Sequence, residues 1–178
     1  MKFARCDIVL RGVFSIVRNF VVVLCLGTSA VVALAEPRLD SEANIQHAVR
    51  QAVDEYVDGG MIGLRIQVKQ CYAQLPSMGL GKKLSEQQGV DALRVLQFCA
   101  SLDWASFVLD DAAVQKMHWP STSFFTKAAT QKRIRDQLKP LINVANDRAI
   151  FQKVLSQQVE AALVQQIQTV ETPKKSST

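Results

Sequence analysis

Few residues in this chain are suited to chemistry, and the densest group is Asp103, Asp110, Asp111 and His118. Carboxylates beside an imidazole can ligate a divalent cation or divide general acid and base work near neutral pH. On a continuous helix Asp103, Asp111 and His118 share a sector of about 80°. Positions seven or eight apart are nevertheless separated by roughly 11 Å along the axis, whereas a metal draws its ligands to within about 2–2.6 Å. A shared ion therefore needs a sharp break near Asp110. Solvated acids at a helix junction account for the same residues, and no metal or cofactor is expected. Adjacent aspartates point to different sides of a helix, which disfavours the paired carboxylates of a glycoside hydrolase.

Histidine is the usual general base, and there are two. His47 falls between the apolar positions of its helix and is expected in solvent. His118, just before Trp119-Pro120, is the better catalytic candidate. No serine sits in a Gly-x-Ser-x-Gly elbow, and no thiol is left over as a nucleophile. An enzyme is the less favoured reading.

The cysteines point to structure. Of four, Cys6 and Cys25 lie in an N-terminal stretch with the layout of a secretory signal. Lys2, Arg5, Arg11 and Arg18 precede the uncharged run FVVVLCLGTSAVVALA, which ends in Ala33-Leu34-Ala35, a small-x-small cleavage pattern placing the cut after Ala35. The run is shorter than the roughly 20 apolar residues of a bilayer span, so membrane contact is expected only during export. Export to a periplasmic or secreted location implies an oxidising compartment, where Cys71 and Cys99 can pair in only one way. A redox centre would want a Cys-x-x-Cys pair, and zinc would want four ligands at a recognisable spacing. A structural disulfide is the expectation.

Removing the leader also changes the charge. The chain holds 21 basic and 16 acidic residues; residues 1–35 take four and one of these, leaving 17 and 15. So slight an excess is no nucleic-acid footprint.

The elements that must position these residues read as helices throughout. Ile45, Ala48, Val49, Ala52, Val53, Tyr56 and Val57 recur at three and four behind Asp40 or Ser41, and Gly59-Gly60 closes that helix. Over residues 61–75, Leu64, Ile66 and Val68 alternate with polar residues as in a strand. Met61, Leu64, Val68, Cys71, Tyr72 and Leu75 also form a helical stripe, and no second strand offers pairing, so a helix is expected. Pro76 to Gly81 makes a turn. Ser85 and Gln88 form a capping box for a helix reaching about Leu109, so that Cys71 and Cys99 staple antiparallel neighbours. A short segment from Asp111 to His118 follows. Ser121-Thr122-Ser123 is read as the cap of a helix carrying Phe124 and Phe125 and ending near Pro140. Asn146-Asp147 opens the last helix, whose outer face (Gln157, Gln158, Glu160, Gln165, Gln166) is polar but nearly uncharged. It reads as a solvated face or a docking surface.

The fold expected is all-α: a single-domain bundle of about five helices over residues 36–170 with one disulfide, behind a signal peptide (residues 1–35) and before a disordered polar tail (residues 171–178). The aromatic cluster HWPSTSFF, residues 118–125, is either a core plug or an interface anchor. His118, Trp119, Phe124, Phe125, Trp104 and Tyr72 are the candidate binding residues. The expected function is non-enzymatic binding of another protein, as an inhibitor, an immunity protein or an accessory subunit of envelope machinery. The alternative is a small hydrolase or ligand binder with a pocket near His118 and Trp119. The charge predicts no nucleic-acid partner, and oligomeric state is open.

Overall fold

The computed structural model describes residues 41–75 and 84–171. The leader expected over residues 1–35, the turn over residues 76–81 and residues 172–178 of the expected tail lie outside them. All regular structure among the described residues is helical: α1 (Ser41–Ala73), α2 (Glu86–Met117), α3 (Lys127–Leu138) and α4 (Ala145–Glu171). The all-α expectation is met, with four elements where about five were expected.

α1 is one element with a sharp bend. Gly60 has φ 61° and ψ −158°, a conformation open to glycine and strained for other residues. Gln51 Nε2 donates to Gln67 Oε1 at 3.1 Å. In a straight helix those residues would be about 24 Å apart, so the two arms fold back on each other. Glu55 makes the bend close. Its carboxylate occupies the space a side chain at Gly59 or Gly63 would need, at the first turn of the second arm, where a helix favours negative charge. Its Oε2 also accepts from Gln67 Nε2 at 2.6 Å. The stop read at Gly59-Gly60 is therefore a hairpin bend. A Cβ at residue 60 would meet nothing within 4 Å, so the cost of one is purely that of the backbone conformation. Gly60→Ala is expected to lose about 1–3 kcal/mol in chemical denaturation. A loss under about 0.5 kcal/mol would mean that the bend is not held at this residue.

The stripe read over residues 61–75 as helix holds: Leu64, Val68, Cys71, Tyr72 and Leu75 are buried and Met61 packs against them. α2 is the central helix. Its capping box forms, Ser85 Oγ accepting from Gln88 N–H while Gln88 Oε1 accepts from Ser85 N–H. From Ser101 to Ser106 every residue is buried, as befits a helix covered on all sides. α2 is long and apolar enough to cross a bilayer, but 67% of its most apolar window is packed inside the bundle.

Two boundaries differ from expectation. α2 does not stop near Leu109; it continues to Met117, because neither glycine nor proline interrupts it. His118 then ends it in the left-handed conformation, φ 52°. α3 starts later than Ser121-Thr122-Ser123 suggests. Phe125 N–H donates to the Thr122 carbonyl, making a turn, and Thr126 is the cap, its Oγ1 accepting from Ala129 N–H. Phe125 is fully buried ahead of the helix.

The disulfide is present. Cys71 and Cys99 are joined with their Cα atoms 5.5 Å apart, tying the second arm of α1 to α2.

Candidate functional surface

The strongest electrostatic feature is a buried cluster around Asp103. Arg133 of α3 grips this carboxylate with two hydrogen bonds, Nη2 to Oδ1 at 2.6 Å and Nε to Oδ2 at 3.0 Å. The Tyr72 hydroxyl of α1 donates to Oδ2 at 3.2 Å. The rest of the guanidinium is equally engaged. Nη1 donates to the Phe124 carbonyl at 2.6 Å, Nη2 also reaches Thr130 Oγ1 at 3.0 Å, and Cζ lies 3.8 Å from the Phe124 ring centre. Three elements thus meet at one charge pair.

Burial pushes the Asp103 carboxyl above the ordinary aspartate range, while Arg133 and Tyr72 pull it part of the way back. Burial likewise drives the Tyr72 hydroxyl well up, and the Asp103 charge adds to that. Asp110 is raised too, chiefly by burial, with Thr122 opposing. A carboxyl raised on folding costs free energy as it ionises. These two aspartates therefore make stability decline as pH rises from 3.8 through their folded values. Asp136 acts oppositely. Lys132 and Lys139 lower it to about 2, so its contribution is present above the ordinary value and fades as pH falls toward that figure.

The four residues first considered as a metal site do not converge. Asp103 faces Arg133, Asp110 accepts from Thr122 Oγ1 at 3.4 Å, Asp111 accepts from Gln115 one turn on, and His118 is exposed at the end of α2. Among the described residues no group of His, Cys, Asp and Glu could hold a metal ion. A cleft of about 480 Å³ lies elsewhere, lined by His47, Arg50, Asp54, Glu55 and Asp58 on the first arm of α1 and by Gln67 on the second. Neither His118 nor Trp119 lines it.

The candidate binding residues separate by burial. Trp104, Tyr72 and Phe125 belong to the core, and Trp104 Nε1 donates to Glu160 Oε1 at 3.1 Å. Phe124 is partly covered, edge-on to Phe125 and flanked by Arg133. Only His118 and Trp119 are exposed.

The surface the sequence reading missed is the outer face of α1's second arm. Ile62, Arg65, Ile66 and Lys69 recur at three and four, so they share one side, and all four are exposed. Ile62 is 77% and Ile66 50% exposed, with Val57 at 41% beside the bend. Arg65 and Lys69 reach over the Phe124 ring, 5.2 and 5.8 Å from its centre. The signal was available: the stripe through Leu64, Val68 and Leu75 left two isoleucines with no core to enter.

Comparison of the chain with protein-family models, curated proteins and solved structures finds no match.

Proposed function

We propose that this is an exported, non-enzymatic domain that binds another protein, and that its contact is the outer face of α1's second arm. The leader would be cut after Ala35, and the Cys71–Cys99 bridge suits the oxidising compartment beyond the membrane. An inhibitor, an immunity protein and an accessory subunit of envelope machinery all share this description.

The observation that carries the reading is the pair Ile62 and Ile66, one turn apart and at least half exposed. Single apolar residues on a surface need no explanation, but aligned ones on a stiff element are what interfaces bury. Arg65 and Lys69 on the same face give the partner's complement: an apolar surface rimmed by acidic groups. The clamp to α2 lies on the opposite side of the same arm, so the face is held rigid before contact and little ordering is required on binding.

The test is photocross-linking from position 66 in the native compartment, followed by titration of the purified, cross-linked partner. Ile62→Ser with Ile66→Ser is expected to weaken that affinity by about tenfold or more while leaving thermal unfolding unchanged. Undiminished affinity in the double variant would contradict the assignment.

A further inference from the structure

The outer face of α4 carries a second stripe of a different kind. Ile150, Val154, Gln157, Ala161 and Val164 recur at alternating intervals of four and three, within about 40° of one line along the helix. Ile150 is 53% and Val154 45% exposed, and Gln157 and Ala161 are exposed with them. The core side of the helix, Leu155, Val159, Ala162 and Leu163, faces away. No charge interrupts the stripe from Ile150 to Val164; Asp147 lies one step before it, meeting Val164 of a second copy only at the outer ends of an antiparallel contact, and Lys153 and Glu160 flank the stripe on one edge.

We propose that this face joins two copies of the chain as an antiparallel pair of α4 helices. The two charges decide both orientation and register. In an antiparallel pairing that stacks Ile150 on Ala161 and Val154 on Gln157 of the second copy, Lys153 falls beside Glu160 of the second copy. The two-fold axis repeats each contact, giving two opposite-charge pairs. Sliding the helices by one heptad, to place Val154 on Val164 of the second copy, sets Glu160 against its own counterpart. A parallel pairing offers Lys153 and Glu160 only glutamines, Gln158 and Gln165. The charge pattern thus rewards one arrangement and penalises the nearest alternative. Glu160 is itself exposed, and one of its carboxylate oxygens accepts from Trp104 Nε1 at 3.1 Å. The contact is short and has glutamines at its centre, so the dimer is a reversible one. This proposal is independent of the face carrying Ile62 and Ile66.

Sedimentation velocity on the purified, oxidised protein tests it. The weight-average mass is expected to rise toward two chains as concentration increases to about 1 mM. Lys153→Glu and Glu160→Lys should each lose at least tenfold in association when alone, because each faces like charges in its own dimer. Mixed one to one, they should regain wild-type association or better, since the mixed pair again opposes unlike charges at both contacts. A fold defect cannot be rescued by mixing. Should Glu160→Lys unfold through its loss of Trp104, Val154→Arg takes its place, and it should abolish the dimer outright. A wild-type monomer at every concentration, or a dimer indifferent to Lys153→Glu and Val154→Arg, would overturn the proposal.

Discussion

Replacing Arg133 by methionine is expected to destabilise the fold by about 3–5 kcal/mol, the largest effect of any single surface-reaching side chain. The substitution leaves the Asp103 carboxylate, whose side chain has no exposure, without its counter-charge, and it frees the Phe124 carbonyl of a 2.6 Å donor. A buried pair is weak evidence for net stability, because desolvation consumes most of the attraction. Burial raising the Asp103 carboxyl despite Arg133 says the same thing. Breaking the pair and deleting it should therefore differ sharply. Asp103→Leu with Arg133→Met removes both charges and is expected to lose clearly less than the sum of the single variants. It should stay below wild type, because the Tyr72 hydroxyl loses its acceptor. Urea unfolding with an unchanged slope measures all three. An Arg133→Met variant within about 1 kcal/mol of wild type would show that the pair is not held as described.

Opening the disulfide should cost nearly as much by another route. The bridge spans 28 residues, and in the chain-entropy model a loop of that length restrains the unfolded chain by about 3.5 kcal/mol. Cys71→Ala with Cys99→Ala, compared with reduction of the wild-type chain, separates that restraint from the packing of two buried sulfur atoms. Both treatments should lower stability by about 3 kcal/mol while leaving the helical signal intact under native conditions. A change below about 1 kcal/mol would mean that the unfolded chain is already compact across the bridge.

These two effects meet at one seam. Tyr72 follows Cys71 in α1, and Asp103 lies one turn beyond Cys99 in α2, so the covalent clamp and the charge cluster stack along the same line of contact. Losing one should make the other count for more, and combined variants should depart from additivity.

How much of this was legible in the sequence depends on the range of each interaction. The helix over residues 61–75 was readable because burial imposes a local period, and Leu64, Val68, Cys71, Tyr72 and Leu75 obey it. The capping box at Ser85 and the glycine at residue 60 were readable because both act within one turn. The bridge was readable because only two of the four cysteines lie outside the leader expected over residues 1–35. Arg133 was not. It reaches Asp103 across 30 positions, and an arginine among the polar residues of α3 has no local mark that distinguishes a buried partner from a solvated one. Asp103 looked solvated for the same reason. The late start of α3 was hidden because Ser121, Thr122, Ser123 and Thr126 are all competent caps by residue type, and nothing local marks Thr126 as the one used. Ile66 fitted the inner face of a strand but lies off the helical stripe that the chain adopts, and Ile62 lies off it too, so neither was marked as a surface residue by the period alone.

Peptide mapping of the protein isolated from its own cells, alkylated before any reductant is added, tests the central claim most directly. The clamped, exported bundle predicts one peptide pair joined through Cys71 and Cys99, no alkylation at either residue, and a chain beginning at Glu36. Free, alkylated thiols at both positions would contradict the clamp and, with it, the assignment to an oxidising compartment.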